Sequence, residues 1–97
     1  MKFLVSKRAR RQIERIQKWW VTNRPAAKSL FLDELVAAEE ALRANPELGA
    51  IYLERGPVRR VLLPRTHHLL FYRYRPTEAD LTVLSVWGAV RGRLPLL

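Results

Sequence analysis

Residues 58–91 read VRRVLLPRTHHLLFYRYRPTEADLTVLSVWGAVR, and this stretch decides the fold. β-branched and aromatic residues are concentrated in three runs, residues 58–63, 67–74 and 81–87, which short proline-containing turns separate. Runs of this length joined by short turns predict three consecutive antiparallel strands. Arginines interrupt the strands, which indicates that the sheet also presents a binding surface.

The N-terminal half predicts one short strand and two helices. Residues 2–5 form the strand, and Ser6 can cap a helix that begins at Lys7. Apolar residues recur at spacings of three and four in that helix and again in residues 25–44, so both helices are amphipathic. The expected order is β-α-α-β-β-β. This is an α+β fold in which a helical hairpin packs on a small, mainly antiparallel sheet, and the 97 residues form a single domain.

Both faces of this sheet are partly apolar. Strict alternation in the last strand places Leu81, Val83 and Trp87 on one face and Leu84 and Val86 on the other. Two helices can cover only one face of the sheet. We therefore expect the second face to meet a partner or a dimer mate, or to form an unusually exposed patch.

The chain is strongly basic. Eighteen Lys and Arg against nine Asp and Glu favour an anionic partner, either nucleic acid or an acidic protein segment. Four carboxylates concentrate in the second helix, where we expect them to neutralise part of the basic face of the first: Asp33, Glu34, Glu39 and Glu40. The apolar stretch near the N-terminus is too short for a signal peptide or a membrane span, so we expect a cytoplasmic protein.

The sequence contains no clear catalytic or metal site. It has no cysteine, and His67 and His68 are neighbours in a predicted strand and would point to opposite faces, so we expect no metal and no cofactor. Metal-independent RNA cleavage stays open, with a histidine or Tyr72 or Tyr74 as proton acceptor. The residues of such a site would be Arg59, Arg60, His68, Arg73 and Arg91. A role of these residues in binding is favoured, because no spacing identifies an acid–base pair.

Six short motifs occur in an order that is typical of one family. They are Trp19-Trp20, Arg24-Pro25-Ala26-Ala27, Asn45-Pro46 before Gly49, residues 58–64 with His68, Tyr72-Arg73, and residues 86–92. Together they make nearly the whole chain resemble the RelE/ParE superfamily of toxins from bacterial type II toxin-antitoxin modules. The resemblance implies the same fold as the residue patterns.

The resemblance also implies a toxin that a cognate antitoxin neutralises by wrapping it with an acidic C-terminal segment. RelE-like members cleave mRNA on the ribosome with basic residues and a tyrosine or histidine near the chain end, whereas ParE-like members lack that set and inhibit DNA gyrase. Neither Tyr nor His follows Trp87, so the ParE-like branch fits better. A ribosome-dependent mRNA endonuclease and a non-toxic antitoxin-binding member are the alternatives. Operator DNA would be bound only through the toxin–antitoxin complex.

Two sets of contact residues follow from this interpretation. The residues expected to bind the target are Arg59, Arg60, Arg65, Arg73, Trp87 and Arg91. The residues expected to bind the antitoxin are Ile16, Trp19, Trp20, Leu32, Val36, Tyr72 and Tyr74.

Overall fold

A computed structural model describes residues 1–52 and 58–89. Its elements are β1 (Lys2–Val5), α1 (Lys7–Asn23), α2 (Leu30–Ala44), β2 (Ala50–Ile51), β3 (Val58–Leu63), β4 (His68–Arg75) and β5 (Asp80–Gly88). The strands form one sheet in the order β1-β5-β4-β3-β2, in which β1 is parallel to β5 and every other pair is antiparallel. The predicted α+β fold, a helical hairpin on an antiparallel-dominated sheet, is confirmed.

Two predicted element boundaries were wrong. The second helix begins at Leu30, because the segment Pro25–Ala27 forms a separate turn of 3₁₀ helix before the chain reverses direction. The fourth strand begins at His68, because His67 has a φ of 58°, a left-handed conformation that belongs to the preceding turn and not to a strand. The argument that two adjacent histidines point to opposite faces of a strand therefore does not apply.

α1 is fixed on the sheet at its first turn. The Ser6 hydroxyl accepts a hydrogen bond from the Ala9 N–H at 3.1 Å and donates one to the Leu84 carbonyl at 3.1 Å. The predicted cap is therefore present, and it also joins the helix to β5. The inward stripe of α1 packs on the main core, as its spacing predicts; its members are Ala9, Ile13, Ile16 and Trp20.

The main core lies between the two helices and the sheet. α2 contributes side chains that are at most 5 % exposed, and the facing strands supply fully or almost fully buried residues. The central members are Phe31, Leu35, Leu42, Leu63, Leu70, Tyr72, Leu81, Val83 and Val86. This layer is where burial of apolar surface stabilises the fold.

A β-bulge in β5 changes which residues share a face. Phe71 pairs with Ser85 and Tyr72 with Val83, so Leu84 has no partner in the ladder. Beyond the bulge the alternation shifts by one residue. Val86 joins the main core, and Trp87 packs with Leu84 on the second face. The predicted faces of Val86 and Trp87 were therefore wrong.

The second face of the sheet carries its own small apolar cluster. Tyr52, Val58 and Phe71 are its buried members, and the rings of Tyr52 and Phe71 meet edge to face with centroids 4.8 Å apart. Tyr52, directly after β2, thus covers part of this face itself. The expectation that the second face is left for a partner, a dimer mate or an exposed patch is corrected to that extent.

Glu34 joins α2 to the turn between β3 and β4. Its carboxylate accepts hydrogen bonds from the Arg65 N–H at 2.7 Å, the Thr66 N–H at 3.0 Å and the Thr66 hydroxyl at 2.7 Å. No ion pair joins α1 to α2 in the described part of the chain, where the ion pairs are Arg59–Glu47 and Arg75–Asp80. The predicted neutralisation of α1 by α2 is therefore not seen, because this carboxylate is turned to the sheet instead.

This network predicts a loss of stability in acid that depends on Glu34. Burial alone would raise the pKa of this carboxyl group, but the hydrogen bonds from Thr66 and Arg65 and the Arg65 charge outweigh burial and hold the pKa below its ordinary value of 4.5. A folded-state pKa below the unfolded one gives stability that is present above pH 4.5 and is lost as the pH falls through the folded-state pKa.

We expect Glu34→Gln to lower the free energy of unfolding at neutral pH, with the difference from the wild type narrowing below pH 4.5. Urea unfolding at a series of pH values measures this difference. Asp33→Asn removes a neighbouring carboxylate outside the network and should keep the wild-type dependence on pH. A gap between wild type and Glu34→Gln that stays constant down to acid pH would contradict the assignment.

A tryptophan-lined cavity as candidate functional site

An open cavity of about 460 Å³ lies where α1 ends beside the turn before β4 and the last residues of β5. We call it the tryptophan cavity. Its lining residues in the described chain are Gln12, Arg15, Ile16, Trp19, Trp20, Thr66, His67, His68, Val86, Trp87 and Gly88. The volume lies within the range of sites that hold a small ligand or several side chains of a partner.

Gln12 fixes α1 at the base of the tryptophan cavity. Its side-chain oxygen accepts hydrogen bonds from the Val86 N–H at 2.8 Å and from the Ser85 hydroxyl at 3.0 Å. Val86 lies two residues beyond the bulge, where the β5 backbone is displaced from regular pairing. A polar side chain beside the apolar stripe of α1 therefore sets the distance between the helix and β5.

Trp19 and Trp20 form one wall of the cavity. Their rings meet edge to face with centroids 5.6 Å apart, and Trp20 packs against the main core. Trp19 is 50 % exposed, although it is a large apolar residue. An exposed tryptophan held on a packed neighbour is typical of a protein-binding surface.

The opposite wall is ordered by a chain of hydrogen bonds that starts at Glu34. The Thr66 hydroxyl donates its only hydrogen to Glu34, so it can only accept from His68 Nδ1, which lies 3.1 Å away. The Phe31 ring packs against the His68 ring with centroids 5.1 Å apart. Two contacts therefore hold the His68 ring in place: the hydrogen bond to Thr66 and the packing against Phe31. In that hydrogen bond His68 Nδ1 carries the hydrogen.

The tryptophan cavity brings together residues from both predicted contact sets. Ile16, Trp19 and Trp20 come from the antitoxin set, and Trp87 comes from the target set. Arg65, also of the target set, is exposed in the turn next to the lining residue Thr66.

The other arginines of the target set lie elsewhere on the sheet. Arg59 donates hydrogen bonds to the carbonyls of Gly49 at 2.8 Å and Glu47 at 3.2 Å, so it supports the loop after α2. The Arg60 guanidinium lies 5.9 Å from the centre of the Tyr52 ring. Arg73 pairs with Val58 and Thr82 in the ladder. Arg91 lies outside the described residues.

The candidate residues for RNA cleavage that lie in the described ranges do not converge. His68 and Arg73 are five positions apart on the same strand, about 17 Å at the usual rise per residue. Arg59 pairs in register with Tyr72, near the Arg73 end. A general base needs to lie within hydrogen-bond reach of the reacting group, and the charges that stabilise the transition state must surround the same atoms.

Tyr72 is part of the fold and offers no surface. It is 0 % exposed, its hydroxyl accepts a hydrogen bond from the Gly49 N–H at 2.9 Å, and it donates one to the Pro46 carbonyl at 2.8 Å. Burial raises the pKa of Tyr72. Gly49 is required here because a Cβ would lie 2.7 Å from the Arg60 carbonyl oxygen and 2.8 Å from the Tyr72 hydroxyl. Tyr72 therefore offers no side chain to a partner.

The remaining antitoxin-set residues are only partly accessible. Val36 is 50 % exposed on α2, whereas Leu32 and Tyr74 are half-buried against the main core.

Several lining residues of the tryptophan cavity were not predicted, above all Gln12, Arg15 and Thr66. The one feature of the sequence that could have indicated these residues is the position of Gln12 next to the apolar stripe of α1.

Two further properties concern the described residues as a whole. No group of three or more His, Asp or Glu side chains within residues 1–52 and 58–89 is placed to hold a metal ion. Neither helix in those ranges is long and apolar enough to cross a bilayer.

The architecture is that of the RelE/ParE superfamily of toxins. The family model described as the ParE toxin of the type II toxin-antitoxin system, parDE, matches residues 3–91, so the chain belongs to the ParE toxin family. No curated protein matches the sequence.

Solved structures of this superfamily share the fold at low sequence identity. A chain of the chromosomal ParDE toxin-antitoxin system from P. aeruginosa is 18 % identical and has a TM-score of 0.74, covering 91 % of this chain and 95 % of that one. The isolated E. coli RelE toxin is 18 % identical with a TM-score of 0.57, covering 95 % and 87 %. The E. coli RelBE toxin-antitoxin complex contains a chain that is 20 % identical with a TM-score of 0.56, covering 93 % and 98 %.

Proposed function

We propose that this chain is the toxin of a type II toxin-antitoxin module, that a cognate antitoxin neutralises it in the cytoplasm, and that it arrests growth by inhibiting DNA gyrase. The match of the ParE toxin family model to residues 3–91 carries this proposal. Among the described residues, Arg59 and Arg73 lie toward the other end of β4 from His68, which supports action by binding over cleavage at a site formed by these three.

The tryptophan cavity is the proposed contact site for the target. Tryptophan and arginine dominate the energy of protein interfaces, and this cavity places Trp19 and Trp87 beside Arg15. Arg65 and His67 extend the polar rim on the side of the turn. An apolar centre with a basic rim suits a protein surface that presents an apolar side chain next to carboxylates.

The same cavity provides a mechanism of neutralisation. Residues expected to bind the antitoxin and a residue expected to bind the target line one space, so an antitoxin segment seated there would exclude the target directly. The basic rim would attract an acidic segment, and apolar side chains of that segment would fill the centre. The relative in the RelBE structure is likewise found in complex with an antitoxin.

A ribosome-dependent mRNA endonuclease is the second candidate, because His68 is an ordered histidine at the cavity wall. Expression of the chain without its antitoxin should arrest growth, and primer extension on translated messages should show no new cleavage sites. Co-expression of the antitoxin should restore growth and serves as the control. Cuts at codon spacing would establish the endonuclease instead, and unimpaired growth would indicate a non-toxic antitoxin-binding member.

A further inference from the structure

The outward face of α1 carries a row of cations, of which the proposed function uses only the cavity-lining Arg15. Lys7, Arg11, Arg15 and Lys18 follow one another at spacings of four, four and three residues, so they project from one side of the helix. All four are exposed. We call them the basic row. Eleven residue steps of helix make this row about 16 Å long.

The basic row is not neutralised by the described part of the protein. α1 as a whole has six Lys and Arg and a single carboxylate, Glu14. The ion pairs among the described residues lie on the sheet and on the loop after α2. Glu34, which the sequence placed opposite α1, is bonded to the turn before β4 instead. Like charges held this close repel one another unless an anion lies over them.

The surroundings of the basic row favour a nucleic acid over an acidic protein segment. A disordered acidic segment loses conformational entropy on binding and needs apolar anchors to offset that loss. Along the row the other exposed residues on this side of α1 are Arg8 and Glu14, and exposed apolar side chains, Trp19 and Val21, flank it only at its C-terminal end. A phosphate backbone requires only regularly spaced cations, because release of condensed counterions supplies the binding free energy.

The absence of aromatic residues from the row favours a duplex over a single strand. Proteins that bind single strands stack the bases on aromatic side chains. On α1 the aromatic residues are Trp19, which lines the tryptophan cavity, and Trp20, which packs on the core. Duplex DNA also has the higher charge density along its axis, about one negative charge per 1.7 Å.

We propose that the basic row of α1 binds the phosphate backbone of double-stranded DNA without sequence preference, on a surface that meets the tryptophan cavity at Arg15. DNA contact by this chain is then direct and does not require the antitoxin. This inference is independent of the gyrase proposal, since its test contains no gyrase.

The test compares two variants that lose the same charge. Lys7→Gln/Arg11→Gln/Lys18→Gln removes three members of the row and leaves the cavity-lining Arg15 in place. Lys2→Gln/Arg24→Gln/Lys28→Gln removes three exposed cations outside the row. Fluorescence anisotropy with a short labelled DNA duplex of arbitrary sequence, from about 50 to about 200 mM salt, gives the affinity and its salt dependence. Circular dichroism confirms that both variants are folded.

We expect the row variant to bind the duplex at least about tenfold more weakly than the wild type, with the slope of log K against log salt smaller by about 2.7 in magnitude. The control variant should change both quantities much less. Equal losses in the two variants would overturn the proposal, because they would show a response to net charge alone. Tighter binding of single-stranded RNA than of the duplex would overturn the assignment to duplex DNA. A loss that affects a glutamate-rich peptide but not DNA would assign the row to a protein partner instead.

Discussion

Trp19→Ala is expected to abolish growth arrest while leaving the protein folded. Trp19 is half exposed and lines the tryptophan cavity, and its ring contacts Trp20 only edge to face. Truncation of a tryptophan at the centre of an interface typically costs about 2–4 kcal/mol of binding, which corresponds to roughly 30- to 1,000-fold in affinity. The affinity for the antitoxin should fall as well, because the proposed sites overlap.

Val21→Ala is the matched control for this prediction. Val21 is 48 % exposed on the same helix but does not line the cavity. Growth after induction and affinity for the purified antitoxin are measured for both variants at equal levels of folded protein. Full toxicity of Trp19→Ala would show that the tryptophan cavity does not bind the target.

Phe31→Ala is expected to have the largest effect on stability. Phe31 is 0 % exposed at the start of α2, where it packs in the main core and against the His68 ring. Removing a buried phenylalanine side chain costs about 3–5 kcal/mol through lost burial and the cavity that remains. In a domain of this size each kcal/mol lowers Tm by roughly 4–8 °C, so we expect a decrease of at least about 12 °C.

Leu62→Ala is the corresponding control, because Leu62 is 52 % exposed on the outer side of β3. Its effect on the free energy of unfolding should stay within about 0.5 kcal/mol. Thermal unfolding followed by circular dichroism measures both variants. Similar melting temperatures for the two would show that the α2–sheet contact contributes little to the core.

The fold could be predicted from local patterns because those patterns agree with one another. The 3.6-residue stripes of the helices, the Ser6 cap and the proline-containing turns all gave elements that the structure contains. The faces of the last strand could not be predicted, because the bulge at Leu84 has no glycine or other local signal and alternation was assumed to continue through it.

The candidate site was only partly accessible to sequence reasoning, for a physical reason. Residues that meet only after folding, such as Gln12 with Val86, are 74 positions apart and share no pattern along the chain. Tyrosine is a common residue type at interfaces, but the Tyr72 hydroxyl is hydrogen-bonded to Gly49 in the loop after α2. Arg59 also donates a hydrogen bond to that loop. Its position in an arginine-rich strand does not reveal this structural role.

Inhibition of DNA gyrase is the central claim, and a supercoiling assay tests it most directly. Purified wild-type chain is added in increasing amounts to gyrase, ATP and relaxed plasmid, with Val21→Ala and Trp19→Ala in parallel. We predict that the wild type and Val21→Ala stop supercoiling, that Trp19→Ala does not, and that antitoxin restores supercoiling. Normal supercoiling at a large excess of folded wild-type protein would contradict the account.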